Sequence, residues 1–491
     1  MAQVLKEPER EFSGWGMRDH AQSHFARPAD GDGLAAALAA ADARGATVCL
    51  RGGGNSYGDA AILQGGLTLD CSAASRILAW DPETGVVTVE PGVTIANLWR
   101  HVLPDGWRPP VVPGRGSVTV AGAAAANIHG KNNWRMGAFG DHILSFELAL
   151  PGGQWLTCSP DSRPDLFVAA IGGVGLLGVF TRLTLQMRRV YSGLVAERQT
   201  AQNSLGALLA AMEAAAPDVS DMVAWVDASA TGPSLGRGLL AEGRELAAGE
   251  DPRAAETLAR AWPEWPAGPA RLLRYLPAGL IPTLARPMSS HRGAALANRA
   301  QWAMGSRRAR GGWERVPYPA ANFPLDIIPN WQYSYLPGGL IQHQAFLSLE
   351  AASAGFAALI QRAHAAGLPP SLAVMKKQRA SEFTLNYLLD GYSLALDFPV
   401  HRGEEARMLA LASDLNDITL DYGGRLYFAK DSTLTPAQVR RMLPPEALAT
   451  FAALKSTVDP RDTLQTELYR RALRPALTGQ GSWSGGAAAL R

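Results

Sequence analysis

Residues 113–133 read PGRGSVTVAGAAAANIHGKNN, and the central run from Ala121 to Ala126 carries only alanine and glycine side chains. Such a run buries little apolar surface of its own, so it favours a bulky ligand that lies directly against the backbone. The run ends in Asn127, His129 and Lys131, which place polar groups beside the bare surface. Taken alone, His129 is better explained as a buried histidine with hydrogen-bonded ring nitrogens.

A second glycine-rich segment, RGGGNSYGD at residues 51–59, directly follows a predicted strand. Its small residues occupy every second position, at Gly52, Gly54, Ser56 and Gly58. One side of the segment is therefore bare backbone, whose N–H groups could form a concave nest for a pyrophosphate, with a hydroxyl from Ser56 and a charge from Arg51. Because glycine clusters also mark ordinary turns, this segment alone leaves the two interpretations equally open.

Two common nucleotide-binding motifs do not fit the chain. No Lys-Ser or Lys-Thr pair follows the glycines, so the phosphate loop of ATPases is not present. Residues 173–178 match G-x-G-x-x-G, and Glu197 follows about twenty residues later. A helical pattern precedes these glycines and a strand-like pattern follows them, which is the reverse of a dinucleotide fingerprint. The glycines of residues 173–178 therefore predict a tight backbone turn that packs against a flat group.

Composition narrows the partners further. Charged residues make up 18% of the 491 residues and the formal net charge is +2, so no excess of basic residues is available for phosphates of nucleic acid. Nucleic acid is not an expected partner. Cys49, Cys71 and Cys158 have no metal-ligand spacing and lie in strand-like stretches, which predicts three buried free thiols and no metal site.

The chain shows no export signal and no membrane-spanning segment. Its first residues lack a basic start followed by an apolar stretch, and no run of about 18 apolar residues is uninterrupted. We expect a cytoplasmic protein or one that lies peripherally at a membrane surface. Residues 272–315 interleave apolar residues with arginines, which suits an anionic membrane surface and a mobile solvated loop equally well.

The order of predicted elements indicates an α+β fold with two domains. Residues 1–192 form the first domain, in which we predict helices at 33–45 and 95–103, with Asp32 as the cap of the first, and strands at 47–50, 67–69 and 86–93. Residues 193–424 alternate strands, among them 339–350 and 392–400, with helices, which suggests a sheet flanked by helices, and another strand is predicted at 424–430. Within them, residues 243–329 are predicted to be a mobile segment, and residues 476–491 a flexible tail.

Seven segments together resemble the FAD-linked oxidases of the vanillyl-alcohol-oxidase type, which have a PCMH-type FAD-binding domain. The segments are RGGGNSYGD, PGRGSVTVAGAAAANIHGKNN, FGDHILSFELALPGG, GGVGLLGVFTRLTLQM, VAWVDASATGPSLGRG, GYSLALDFPV and GGRLYFAKDS. Within that family the chain is most similar to the decaprenylphosphoryl-ribose oxidase branch, the flavin half of a two-enzyme 2′-epimerase. The C-terminal VDPRDTLQTELYRR also resembles D-arabinono-1,4-lactone oxidases.

The resemblance implies FAD laid across a two-part α+β domain, to which residues 425–475 return. Its flavin ring would face a seven-stranded antiparallel sheet of the substrate domain. Residues 51–58 would wrap the pyrophosphate, and residues 175–179 would close the adenine side. The implied cofactor-binding residues are Arg51, Gly52, Gly53, Gly54, Asn55, Ser56, Tyr57, Gly58, Pro113, Gly114, Ser117, Val118, Val120, Ala121, Gly122, Asn127, His129, Gly130, Gly175, Gly178, Val179 and Tyr427.

The chain departs from the family pattern in three places. Asn55 stands where many relatives carry the histidine that bonds to FAD, and an amide is no nucleophile, so we expect noncovalent FAD. Ala395 replaces a cysteine that faces the flavin in the oxidase branch, but hydride transfer needs no thiol. Asn132 and Asn133 replace histidines, which leaves the contacts around Lys131 open.

In alcohol oxidation the carbinol hydrogen leaves as hydride, the hydroxyl proton goes to a base, and a cation stabilises the charge of the reduced flavin. The resemblance implies Lys430 and Tyr427 as catalytic residues, although a lone lysine at a strand end is otherwise best explained as a solvated charge. Both can reach the flavin only if the strand ends or bulges between them. Implied substrate contacts are Gln342, Gln344, Lys376, Lys131 and Ala395, and the general base is unassigned.

We therefore expect an FAD-dependent enzyme that oxidises a secondary alcohol of a sugar. The resemblance implies the 2′-hydroxyl of a polyprenyl-phosphoryl ribose, in arabinose-donor synthesis, with a keto-reductase as partner. A soluble aldonolactone or alditol oxidase on the same fold is the alternative. A flavin-binding scaffold without turnover is a third interpretation. The sequence leaves the polyol, the lipid length, the electron acceptor and the oligomeric state open.

Overall fold

The computed structural model describes residues 9–260, 271–272, 276–277, 280–309, 311–326 and 330–479. A four-stranded, a five-stranded and a two-stranded sheet with their helices form the N-terminal part, and one large sheet forms most of the middle of the chain. The C-terminal residues contact both the N-terminal part and the large sheet. The predicted α+β class is confirmed, and the boundary predicted near residue 192 falls just before the first strand of the large sheet.

The first sheet leads the chain into the glycine-rich segment. Its order is β1-β2-β4-β3, with strands β1 (Arg10–Ser13), β2 (His20–Ala26), β3 (Val48–Arg51) and β4 (Leu67–Asp70). Helix α1 (Gly31–Asp42) packs its apolar face on this sheet. The predicted cap was wrong: Asp30, not Asp32, caps the helix, because the extended backbone of Asp30 lets its carboxylate accept the Gly33 N–H at 2.8 Å.

The second sheet is antiparallel, in the order β5-β6-β10-β8-β9. The strands of this region are β5 (Ile77–Asp81), β6 (Val86–Val89), β7 (Trp107–Arg108), β8 (Ile143–Ala149), β9 (Trp155–Cys158), β10 (Val179–Gln186) and β11 (Arg188–Arg189). Strands β7 and β11 pair with each other in a separate two-stranded sheet. The helices are α2 (Ile95–Val102), α3 (Val120–Ala125), α4 (Asn133–Met136) and α5 (Pro164–Ala170). The predicted strand at 86–93 stops at Val89, since a turn begins at Pro91. Helix α5 precedes the glycines of residues 173–178 and β10 follows them, as predicted.

The large sheet contains eight antiparallel strands, in the order β17-β12-β14-β13-β19-β20-β18-β21. The strands from β12 onward are β12 (Leu194–Gln202), β13 (Asp221–Val226), β14 (Gly238–Glu245), β15 (Arg271–Leu272), β16 (Leu276–Pro277), β17 (Glu314–Pro317), β18 (Leu340–Ser348), β19 (Leu372–Gln378), β20 (Gly391–Pro399) and β21 (Arg425–Leu426). Strands β15 and β16 pair with each other in a separate two-stranded sheet. Seven strands were expected. The sheet has one strand more, and the short strands β17 and β21 lie at its two edges, paired with β12 and β18.

Helices cover one face of the large sheet and leave its other face for the site. The helices of this region are α6 (Leu205–Glu213), α7 (Ala254–Ala259), α8 (Ile281–Ala285), α9 (His291–Arg308), α10 (Tyr318–Asn322), α11 (Leu349–Ala365) and α12 (Glu405–Asp421). Phe356 of α11 and Leu411 of α12 are buried with Leu394 and Leu396 of β20. The alternate residues of β20, Ser393, Ala395 and Asp397, therefore point toward the N-terminal part.

The C-terminal stretch closes the N-terminal part. It contains α13 (Pro436–Met442), α14 (Pro445–Val458), a π-helix at Tyr469–Leu473 and α15 (Arg474–Thr478). The Val48 N–H donates to the Thr463 carbonyl at 2.7 Å, and Arg471 pairs with Asp59 at 2.8 Å. The predicted tail begins later than expected, since α15 runs to Thr478, and residues 480–491 lie outside the described residues.

Part of the predicted mobile segment, residues 243–329, also lies outside the described residues, at 261–270, 273–275, 278–279, 310 and 327–329. Its described part contains helices α7 to α10 and strands β15 to β17. Among the described helices, none combines the length and the apolar composition that crossing a bilayer requires.

Candidate active site

A cavity of about 280 Å³ runs between the glycine-rich segment, helix α3 and the open face of the large sheet. The predicted cofactor residues that line it are Arg51, Gly52, Gly53, Gly54, Asn55, Ser56, Tyr57, Pro113, Gly114, Val118, Ala121, Gly122, His129, Gly175, Val179 and Tyr427. The predicted catalytic and substrate residues that line it are Lys430, Gln342, Gln344, Lys376 and Ala395. Residues that are far apart in the sequence therefore line the same cavity.

The glycine-rich segment presents bare backbone to this cavity. In the described part of the chain, the backbone N–H groups of Gly53, Gly54, Asn55 and Ser56 have no acceptor. A Cβ atom on Gly53 would lie 2.4 Å from the Ser117 carbonyl oxygen, so only glycine fits this close approach. Unpaired amide donors on a tightly held loop form the kind of nest that binds a pyrophosphate.

Helix α3 supplies a flat wall. Thr119 caps it by accepting the Gly122 N–H at 3.2 Å, and the helix ends at Ala125. Its small residues Ala121, Gly122 and Ala125 line the cavity and project little into it. The bare surface that the sequence predicted is thus a short helix whose side chains leave room for a broad ligand.

Arg51 lines the cavity and also fixes the shape of the glycine-rich segment. Its guanidinium donates to the carbonyls of Ala61 at 2.9 Å and Ser13 at 3.0 Å. Its Nη2 atom also lies 2.6 Å from the place that a Cβ atom on Gly54 would take. Two backbone carbonyls hold the guanidinium, which lines the cavity with its positive charge intact, so the contact between Arg51 and a pyrophosphate stays a prediction.

Six predicted cofactor residues do not line the cavity: Gly58, Ser117, Val120, Asn127, Gly130 and Gly178. Asn127 uses its side-chain oxygen to accept the Gly140 N–H at 2.9 Å, and its carbonyl accepts the Tyr387 hydroxyl at 2.6 Å. Ser117 donates to the Asn55 side-chain oxygen at 3.1 Å. The polar groups of Asn127 and Ser117 thus bond to neighbouring protein groups, and contact between FAD and any of the six residues stays a prediction.

One end of the cavity carries the polar side chains of Gln342, Gln344, Lys376, Asp397 and Lys430, and we call it the polar end. His129 is buried there. Its Nε2 atom lies 3.0 Å from Gln344 Nε2, and its Nδ1 atom lies 3.2 Å from Gln378 Nε2. Burial, followed by the charges of Lys376 and Lys430, lowers the pKa of His129 well below its usual value. His129 is therefore a neutral, hydrogen-bonded histidine that also faces the site.

Three ionisable side chains share this end of the cavity. Burial lowers the pKa of Lys430 to about 7, while the charge of Asp397 opposes that effect. Burial, followed by the charge of Lys131, lowers the pKa of Lys376 to about 8. Burial also raises the pKa of Asp397 to about 6. Groups that change charge near neutral pH inside a cavity are suited to proton transfer and to charge stabilisation.

Asp397 has one free oxygen. Its Oδ1 atom accepts a hydrogen bond from the Gln342 side-chain amide, while its buried Oδ2 atom has no partner among the described residues. Lys430 lowers the pKa of Asp397, although burial prevails. Asp397 thus offers an unused acceptor inside the cavity.

Tyr427 and Lys430 both reach the cavity because strand β21 ends at Leu426. The predicted strand over residues 424–430 is wrong beyond that point. The Lys430 N–H donates to the Tyr427 carbonyl at 2.9 Å, which closes a turn and brings the two side chains to one side. The Tyr427 ring packs against Tyr387, with 4.2 Å between the ring centres.

Lys131 does not line the cavity. Its ammonium donates to the Ala321 carbonyl and lies 3.4 Å from the Glu197 carboxylate. The predicted substrate contact is therefore corrected, because α10 and β12 supply partners that the sequence did not reveal. Asn132, at one of the departing positions, donates to the Pro110 carbonyl at 2.7 Å.

Comparison with known proteins shows to which kind of protein this cavity belongs. Decaprenylphosphoryl-beta-D-ribose oxidase of Mycolicibacterium smegmatis is 29% identical over 479 residues, which cover 94% of this chain and 97% of that protein. Residues 23–159 match the FAD binding domain family. The protein is an FAD-dependent oxidoreductase. The unpaired amides, the flat α3 wall and the polar end fit the pyrophosphate, the ring system and the reacting end of an FAD site.

Other relatives of this oxidoreductase match shorter parts of it. A putative D-arabinono-1,4-lactone oxidase of Neurospora crassa is 30% identical over 118 residues, which cover 24% of this chain and 21% of that protein. The mitochondrial D-lactate dehydrogenase [cytochrome] of Arabidopsis thaliana is 30% identical over 132 residues, 26% of this chain and 23% of that protein. These matches extend over about a quarter of the oxidoreductase.

Two residues of this oxidoreductase without a predicted role lie at the polar end of the cavity. Asp397 lines the cavity, and its position two residues after Ala395 on one strand was the signal that could have identified it. Gln378 contacts His129 and donates to Ser393 Oγ at 2.8 Å. No signal in the sequence placed Gln378 there, because its position depends on how β19 pairs with β20.

Proposed function

We propose that the protein oxidises the 2′-hydroxyl of a polyprenyl-phosphoryl pentose to a keto sugar, which a partner keto-reductase then reduces to the arabinose epimer. The observation that carries the proposal is the polar end of the cavity, where amides, two lysines and one carboxylate face the same space: Gln342, Gln344, Lys376, Asp397 and Lys430. Similarity over almost the whole chain to an oxidase named for decaprenylphosphoryl-ribose supports the choice of substrate.

The roles of these side chains follow from their chemistry. Bound FAD supplies the acceptor for the hydride that leaves the carbinol carbon. The amides of Gln342 and Gln344 bind sugar hydroxyls, and the Lys376 ammonium binds the phosphate. Lys430 stabilises negative charge that develops in the dry cavity. The free Oδ2 atom of Asp397 accepts the hydroxyl proton.

The FAD is held without a covalent bond in this proposal. Asn55 lines the cavity in the glycine-rich segment, and its side-chain oxygen accepts the Ser117 hydroxyl. Its amide nitrogen donates to the Gly53 carbonyl at 3.1 Å. Asn55 therefore supports the shape of the segment and offers no nucleophile to the flavin.

The lipid part of the substrate suggests a membrane contact beside the cavity. Helices α8 and α9 and the turn between them expose Leu280, Leu284, Met288, Leu296 and Met304, each more than half exposed. Arg286, Arg292 and Arg299 lie among them, and such a surface suits anionic lipid. The side chains of Leu273, Leu276 and Arg310, also part of the predicted segment, lie outside the described residues. Loss of liposome binding in L284D/L296D would support the contact, and unchanged binding would contradict it.

A panel of substrates tests the proposed function. The enzyme is mixed anaerobically with polyprenyl-phosphoryl ribose, with free aldonolactones or with alditols, and the yellow absorbance of oxidised flavin is followed. Bleaching by the lipid-linked sugar supports the proposal. Bleaching by the free compounds alone favours the lactone or alditol oxidase that the partial similarity to lactone oxidases allows. A flavin that none of them bleaches would favour a scaffold without turnover.

A further inference from the structure

We propose that His291, His401 and Glu404 form a zinc site separate from the active site. One ring nitrogen of each histidine and one carboxylate oxygen lie within 4.8 Å of one another. Histidine and carboxylate are ordinary ligands of Zn²⁺, and three protein ligands leave a fourth position for water. None of the three residues lines the FAD cavity.

Local backbone structure brings the ligands together. His401 and Glu404 follow β20, and a turn closes between them, in which the Glu404 N–H donates to the His401 carbonyl at 2.9 Å. Gly403 makes the turn possible with a φ of 83°. His291 is the first residue of α9, fixed by Ser290, whose side chain accepts the Gly293 N–H. Because the two histidines are 110 residues apart in the chain, the sequence alone did not indicate this cluster.

The polar atoms of the cluster are incompletely satisfied without a cation. His291 Nε2 lies 3.0 Å from a Glu404 oxygen, and the two imidazole rings are perpendicular, with 5.0 Å between their centres. The His401 Nε2 and His291 Nδ1 atoms are buried and have no partner among the described residues. A zinc ion would give the His401 Nε2 lone pair the partner that buried nitrogen atoms normally have.

The geometry requires only a small adjustment. Zinc bonds of about 2.0–2.2 Å place tetrahedral ligand atoms about 3.3–3.5 Å apart. Side-chain rotations that move the ligand atoms by roughly 1 Å therefore suffice. Arg407 lies 3.5 Å from the other oxygen of Glu404 and is 58% exposed. Solvent screens that charge, and the Glu404 oxygen beside His291 stays available to the metal.

Zinc at this point would tie the α8–α9 segment to the end of the large sheet. Ser289, just before α9, donates to the Ser334 carbonyl at 3.0 Å, and Asn298 of α9 donates to the Ser371 carbonyl at 3.3 Å. Trp331, near Ser334, lines the FAD cavity. The metal would therefore stabilise the segment that supports one wall of the cavity.

The test uses the purified protein with FAD bound. The wild type, His401→Ala, His291→Ala and a control, His101→Ala, are incubated with zinc chloride and dialysed, and zinc per chain is measured. His101 is an exposed histidine of α2. We expect about one zinc per chain in the wild type and the control, and at least tenfold weaker binding in both cluster variants. Equal zinc content in wild type and His401→Ala, or no retained zinc in the wild type, would overturn the proposal.

A second measurement guards against misfolded variants. Glu404→Gln keeps the size of the side chain and removes its charge, and retained flavin absorbance reports an intact fold. We expect this variant to hold FAD and to bind zinc at least tenfold more weakly. Added zinc should also slow proteolysis of the α8–α9 segment in the wild type and not in Glu404→Gln. Protection that is equal in both proteins would contradict the site.

Discussion

The ammonium of Lys430 lies 3.4 Å from the centre of the Tyr57 ring, so residues from opposite ends of the chain meet at one wall of the cavity. Tyr57 is itself held by Trp15, with 4.6 Å between the ring centres, and its N–H donates to the Ala429 carbonyl at 2.8 Å. The aromatic face stabilises a cation that burial would otherwise disfavour. The glycine-rich segment and the C-terminal return thus position a charged lysine together.

Replacing this lysine tests its role in charge stabilisation. Lys430→Met should keep FAD bound and lower the rate of flavin reduction by substrate by about 10²-fold or more, because the cavity loses its cation. Lys377→Met is the matched control, since Lys377 pairs with Glu213 at 2.9 Å outside the cavity. Stopped-flow absorbance under anaerobic conditions measures both rates. Normal reduction in Lys430→Met would remove Lys430 from the mechanism.

The ionisation of Asp397 and Lys430 predicts a bell-shaped pH profile of flavin reduction. Asp397 accepts a proton only when ionised, so the rate should fall as the pH drops through about 6. Lys430 stabilises charge only when protonated, so the rate should also fall as the pH rises through about 7. Stopped-flow rates across this range give both limbs.

Asp397→Asn assigns the acidic limb of that profile. The variant should be slower by about 10²–10⁴-fold and should lose the fall at low pH. Asp414→Asn, on the outer surface of α12, should keep the wild-type profile. An acidic limb that persists in Asp397→Asn would assign the base to another group.

The close fit of the glycine-rich segment predicts a specific effect on cofactor affinity. Gly53→Ala places a Cβ atom 2.4 Å from the Ser117 carbonyl, so the backbone must shift and disturb its unpaired amides. We expect FAD affinity to fall at least tenfold. Gly152→Ala is the control, because a Cβ atom there meets nothing within 4 Å. Fluorescence titration of the apoprotein with FAD measures both, and equal affinities would contradict the nest.

Because Asn55 is no nucleophile, we predict that acid releases the flavin from the protein. Precipitation of the holoenzyme with acid should leave the yellow colour in the supernatant, because no covalent bond holds the FAD. Absorbance of the supernatant and of the redissolved pellet gives the distribution. Colour that stays with the pellet would show a covalent bond, made by a residue other than Asn55.

Much of this site could be predicted because its signal is local. The bare segment at residues 121–126 leaves room for a ligand beside its backbone, and alternation along β20 identifies the face that carries Ala395. Lys131 was assigned less well, since its partner Glu197 comes from another element. A charged side chain looks free in a sequence until the fold supplies its acceptor.

The most direct test of the central claim is a single turnover with polyprenyl-phosphoryl ribose in the absence of oxygen. One equivalent of substrate should bleach the bound flavin, and mass spectrometry should find the sugar lighter by two hydrogen atoms. Lys430→Met should give neither change on the same timescale. Flavin that stays yellow with this substrate, yet bleaches with a chemical reductant, would contradict the proposed oxidation.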